Sequence, residues 1–157
     1  MTRHILKQAT CILATLAVFA APALSAEEHD AQHQAVDGLE VYLGIVPAAI
    51  ILGYQSGHPE RSMHGGVPRG SNQYHVMVAV FEAATGERIT GAAVKARVED
   101  RAHAGEEKAL EVMTVAGAAT YGNYFTLAGK VPYRISVRIQ RPGASATSVA
   151  RFEYRRP

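Results

Sequence analysis

Between residues 73 and 154 apolar and polar positions alternate with a period of two, interrupted by short polar turns, which is the signature of half-buried antiparallel strands. Gln73 to Glu82 sends Val76, Val78 and Val80 to one face and His75 and Met77 to the other. Ala92 to Glu99 sets Val94, Ala96 and Val98 against Lys95, Arg97 and Glu99. Strands are predicted over Lys108 to Val115 and Thr120 to Leu127. Val131 to Ile139 then alternates Tyr133, Ile135, Val137 and Ile139 with Arg134, Ser136 and Arg138, and Thr147 to Tyr154 closes the chain. Upstream, Leu39 to Val46 is a strand stopped by Pro47, with Ala49 to Leu52 extending it after a bend. No segment carries an amphipathic helical period. About seven short strands with turns between them predict an all-β domain, an immunoglobulin-like antiparallel β-sandwich.

The first residues belong to a different pattern. Arg3 and Lys7 precede an apolar run from Ala9 to Ala21, and Ala21-Pro22-Ala23-Leu24-Ser25-Ala26 is a small-residue exit, so residues 1–26 read as a secretory signal cleaved near Ala26. The run is roughly a dozen residues, short of the ~20 a membrane-spanning helix needs. The mature chain is therefore expected in the periplasm with no membrane insertion. Residues 27–37 are polar and aperiodic and predict a flexible tail carrying Glu27, Glu28, His29, Asp30 and His33. The sandwich domain is expected over residues 38–157, with no internal repeat. Within it, residues 53–72 form a long loop rich in Gly and Pro, of the kind that carries function or disorder.

Charge and cysteine content exclude several function classes. The chain carries 16 Lys and Arg against 14 Asp and Glu, but Arg3 and Lys7 leave with the signal, so the mature chain balances at 14 of each. A nucleic-acid role loses its electrostatic basis. The single cysteine, Cys11, lies in the signal, which removes disulfides, thiolate catalysis and Cys-type zinc sites. No Gly-x-Ser-x-Gly elbow, phosphate-binding loop or His-Glu-x-x-His pair is present, so no enzymatic reaction is expected.

The side chains that can carry chemistry are metal donors. His75 and Met77 project from one strand face, and an imidazole and a thioether side by side suit a soft ion such as Cu(I). The plainer alternative is that Met77 packs in a second buried face while His75 hydrogen-bonds a neighbour. Met113 alternates away from Leu110 and Val112, so it is a third candidate ligand or a packing residue. In the long loop His58, Glu60, Met63 and His64 lie close together ahead of Gly65-Gly66 and are candidate additional ligands, the plainer alternative being a surface loop that carries His and Glu without a metal role. Tracts such as the tail around His29 and His33 can bind Cu(II) or Zn weakly, but a solvated charged tail is the expected reading.

In order and spacing, Tyr74-His75-Val76-Met77-Val78-Ala79-Val80-Phe81, Leu110-Glu111-Val112-Met113, Thr120-Tyr121-Gly122-Asn123, Pro132-Tyr133-Arg134-Ile135 and Arg141-Pro142-Gly143 are similar to a known family. The chain resembles the periplasmic iron-transport accessory proteins, dimeric immunoglobulin-like metal-binding proteins associated with high-affinity iron permeases, among them a spirochaete metal-binding lipoprotein. The resemblance implies copper binding at His75 and Met113, a homodimer and a membrane metal permease as partner. Three positions depart from the family pattern: Met77 stands where a Glu is expected, Gly117 where an acidic residue is, and Thr120 where a His is. The remaining set of His75, Met77 and Met113 favours Cu(I), with Cu(II), Fe and Zn as alternatives. The expected function is a copper carrier or an accessory to iron or copper uptake; the alternative is a structural or interaction module of the cell envelope with a decayed metal site. Copper affinity is expected to weaken as His75 protonates, near pH 6.5 or lower.

Overall fold

The computed structural model describes residues 31–101 and 104–157. The segment read as a signal, residues 1–26, and Glu27, Glu28, His29 and Asp30 lie outside the described residues. Eight antiparallel strands follow one another: β1 (His33–Val36), β2 (Leu39–Pro47), β3 (Gln73–Glu82), β4 (Ala93–Glu99), β5 (Glu106–Val115), β6 (Ala118–Thr126), β7 (Pro132–Gln140) and β8 (Ser148–Arg155). One short helix, α1 (Ala48–Leu52), follows β2. The all-β expectation holds, with eight strands in place of about seven.

The strands form one sheet in the order β1-β2-β3-β6-β5-β4-β7-β8. The sheet curls until β1 lies beside β8, where the Arg151 N–H donates to the Gln34 side chain. The expected sandwich is thus a nearly closed sheet. β5 carries the chain between its two layers, pairing with β4 over Glu106 to Leu110 and with β6 over Glu111 to Val115. The inward sides of the strands supply the core, with Leu39, Val41, Val76, Val78 and Val80 on one layer facing Val94, Ala96, Ile135, Val137 and Ile139 on the other. Period two decides which residues these are, because alternate side chains of each strand face the core.

Two local expectations are corrected. The tail predicted over residues 27–37 is a strand from His33 onward, because Asp37 (φ 48) and Gly38 (φ 76) form a two-residue left-handed turn that folds β1 back onto β2. Ala49 to Leu52 does not extend β2. Pro47 ends the pairing, and Ala48 and Ile51, three apart, are buried on one side of a helical turn against Tyr124.

Tyr121 ties the two layers together. Its ring is buried, its hydroxyl donates to the Ile89 carbonyl at 3.1 Å, and it accepts from the Ala92 N–H at 2.9 Å. Tyr121→Phe leaves both backbone groups without this partner and is expected to destabilise the domain by about 1–3 kcal/mol. Urea unfolding checks this; an unchanged midpoint would show that the hydroxyl is dispensable.

Candidate metal centre

β3 is buried on both faces. Val76, Val78 and Val80 face the core, while His75, on the opposite side, is 0% exposed. A sheet face that buries an imidazole needs a cover, and the segment after Pro47 supplies it. Ala48 and Ile51 of α1 pack with Tyr124 of β6, and Tyr54 and Val67 from the 53–72 loop pack against them. Tyr124 pairs directly with His75 across β3 and β6, and their rings stack with centroids 4.7 Å apart. The loop adds two 3-10 turns, Pro59–Arg61 and Met63–Gly65. Arg61 donates to the Tyr54 carbonyl at 2.7 Å, and the Leu127 N–H donates to the Asn72 carbonyl at 2.8 Å, so the loop is held at both ends.

Beneath this cover one position of the sheet carries no side chain, and its neighbours close over it. Gly122 lies in the interior of β6, opposite Met77 of β3 and Glu111 of β5. A Cβ there would come within 2.7 Å of His75 Nε2, 2.8 Å of Met113 Cε and 3.1 Å of Met113 Sδ. An imidazole nitrogen and a thioether sulfur therefore converge over the bare backbone of one glycine. Met113 is buried, on the outer face together with Glu111.

His64 reaches the same place from the loop. Its Nε2 is 3.2 Å from His75 Nε2, its Nδ1 is 2.9 Å from Glu111 Oε2, and its side chain is 3% exposed. The ring also meets the edge of Tyr124, with centroids 5.8 Å apart. Two imidazole nitrogens this close can both touch one ion at ordinary metal–nitrogen distances of ~2 Å. His75 Nδ1 and the Tyr124 hydroxyl are buried without a hydrogen-bond partner, polar atoms that ordinary packing does not explain. Among the described residues no three His, Cys, Asp or Glu side chains form a metal-binding group. The converging donors are two imidazoles and a thioether, a set that fits copper better than iron.

The other candidates lie elsewhere on this surface. Met77 is half-buried, and its methyl group packs over Gly44 of β2. His58 lies against the Tyr54 ring at 4.6 Å and accepts from the Glu60 N–H at 3.4 Å, so it is engaged within the loop. Glu60 is near enough that its charge, after burial, helps push the Tyr124 phenol upward. Met63 is half-buried beside His64. Gly117 (φ 79) is the second residue of a left-handed turn after Ala116 (φ 49), a position for hairpin geometry. The Thr120 hydroxyl accepts from Arg88 at 3.5 Å. His33 stacks on Tyr42 at 4.5 Å and pairs with Glu40.

Glu111, Gly122 and Tyr124 are absent from the sequence-based ligand set. Two of them carried a signal: a glycine inside a strand marks a close approach, and Glu111 shares its strand face with Met113.

No known family's sequence pattern matches the chain, and no curated protein matches it in sequence. Solved structures do match. A DUF4426 family protein from Pseudomonas aeruginosa superposes with a TM-score of 0.58 at 19% identity, covering 80% of this chain and 93% of that one. A copper-bound variant of FetP from uropathogenic Escherichia coli gives 0.57 at 14%, covering 78% and 92%. The copper-reconstituted P19 protein of Campylobacter jejuni gives 0.60 at 10%, covering 78% and 91%. The likeness is one of fold.

Burial, and then the neighbouring His64, pull the His75 pKa from 6.5 down to about 4. The expected pH dependence moves accordingly, below the value anticipated from an ordinary imidazole. In the unfolded chain this ring takes up a proton near pH 6.5, whereas in the folded chain it stays neutral until about pH 4. Between these values the unfolded state binds more protons, so stability falls as pH falls through that window. NMR titration of the metal-free protein is expected to show a His75 midpoint near 4; a midpoint at 6.5 would mean that the ring is solvated.

Proposed function

We propose that the protein is an exported, non-enzymatic copper-binding protein, a carrier or an accessory to metal uptake, with His75 and Met113 as its central ligands. The observation that carries this reading is the approach of His75 Nε2 and Met113 Sδ to one point above Gly122, where any side chain would fill the space. The names of the fold neighbours agree with it, since FetP and P19 were both solved with copper. Met77, two residues along β3 from His75 on the same face, stands beside the site with its methyl group over Gly44 and is not one of its central ligands.

The chemistry of the donors favours Cu(I). A thioether carries no proton to displace and is a poor ligand for hard ions, while a neutral imidazole binds copper well. Binding through His75 Nε2 shifts the ring proton to Nδ1, which has no acceptor among the described residues. The penalty for such an unpaired donor is about 1–3 kcal/mol. That is small beside the ~10 kcal/mol or more that a structural metal site contributes. In this reading the signal delivers the chain to the periplasm, where it serves a membrane metal permease as a homodimer, as the family resemblance implies.

Anaerobic titration of the processed chain with Cu(I) against a competing chelator tests the proposal, with Cu(II), Zn(II) and Fe(II) run in parallel. Near-stoichiometric Cu(I) binding is expected in the wild type, with loss in His75→Ala, Met113→Leu and Gly122→Val. A wild-type chain that captures no metal would overturn the reading and direct attention to a protein partner.

A further inference from the structure

The 53–72 loop does more than shield the sheet. The carboxylate of Glu111 only accepts hydrogen bonds, so the nitrogen facing it, His64 Nδ1, carries the ring proton. In the neutral ring the other nitrogen, Nε2, is then a bare lone pair, and it lies 3.2 Å from His75 Nε2. His64 is held in a left-handed backbone conformation (φ 55, ψ 32) that is uncommon for residues other than glycine, followed by Gly65 (φ 77) and Gly66 (φ 103). A loop histidine that is strained in its backbone and nearly fully buried in its ring is held there by specific contacts. Those contacts are His75, the Tyr124 edge and Glu111, all on the sheet's outer face.

We propose that His64 is the third metal ligand of this centre and that Glu111 is its positioning residue. The inference rests on the copper reading above and deepens it: two ligands come from strands and the third from a loop, so the site is complete only with the loop closed. In the metal-free chain His75 Nε2–H donates to the His64 lone pair, and the hydrogen-bond chain Glu111, His64, His75 keeps the ligands in place. When metal enters, the His75 ring proton moves to Nδ1, the His64 tautomer stays as Glu111 sets it, and both Nε2 atoms become available. Release then follows the loop: withdrawing His64 leaves His75 and Met113 with one ligand fewer.

The test uses the processed chain as wild type, His64→Ala, Glu111→Ala and Glu111→Gln, with Cu(I) as the probe. Nitrogen-15 NMR of the metal-free protein is expected to show His64 protonated at Nδ1 in the wild type and mixed tautomers in Glu111→Ala. X-ray absorption of the Cu(I) form should count two nitrogen ligands in the wild type and one in His64→Ala. Cu(I) affinity is expected to fall about 10–100-fold in Glu111→Ala, the range for loss of a carboxylate behind a ligating histidine, and transfer to a chelator to accelerate with it. Glu111→Gln, which keeps an acceptor oxygen, should recover part of that loss. Tight Cu(I) binding with the same nitrogen count in wild type and His64→Ala overturns the assignment of His64 and leaves His75 and Met113 standing. Unchanged tautomer and transfer rate in Glu111→Ala overturn the role of Glu111. A wild-type chain without Cu(I) affinity overturns both this inference and the reading beneath it.

Discussion

The arrangement around the centre depends on the absence of a side chain at Gly122. A glycine inside a central strand weakens that strand, since it adds backbone freedom and no packing. Here it lets the His75 ring and the Met113 thioether lie against the β6 backbone, within 2.7–3.1 Å of where a Cβ would stand. With a side chain in that place both groups would have to rise away from the sheet. The Tyr124 ring stacked on His75, and α1 packed on Tyr124, would rise with them. One missing methyl group thus sets the depth at which the whole cover can close.

Burial on that face has an electrostatic consequence. An imidazole at 0% exposure beside a second imidazole resists protonation, so His75 presents a neutral ring from about pH 4 upward. A neutral ring is the form that donates a lone pair. In the proposed reading, the burial that penalises a charged His75 therefore keeps its lone pair available to a metal from about pH 4 upward. The same wall of Tyr124, Ile51 and Val67 limits water, against which a soft ligand set would otherwise compete.

Most strands were legible because they bury one face, and period two survives in the sequence wherever that holds; β3, buried on both faces around His75, keeps the period because its outer face still carries the polar and larger side chains. Gln73–Glu82 is found with the bounds its alternation predicts, and its outward His75 and Met77 were readable from parity alone. β1 was missed because His33–Val36 pairs with only one neighbour and buries little, so it carries no apolar alternation. Its signal lay in the Asp37-Gly38 turn. α1 was misread because four apolar residues after a proline fit either a strand or a helical turn; contact with Tyr124 decides between them. The position of His64 was beyond sequence reasoning for a different reason. His58, Glu60, Met63 and His64 are all candidate donors in sequence until Gly65 and Gly66 turn the chain and Glu111, 47 residues on, meets one of them.

Where the carboxylates stand also bears on which ion the centre suits. Glu111 sits on the same strand face as Met113, close enough to bind His64, yet it meets that ring at the nitrogen turned away from His75. A carboxylate in direct contact with the ion would favour Cu(II) or iron, harder ions that oxygen donors stabilise. Placed behind the imidazole, the same charge instead raises the basicity of the ring and fixes its tautomer. The glutamate position expected from the family resemblance is held by Met77 and the acidic one by Gly117 in a hairpin turn, so neither returns an oxygen to the site. In the proposed reading the negative charge stays one bond network away from the metal, and the ion itself meets only nitrogen and sulfur.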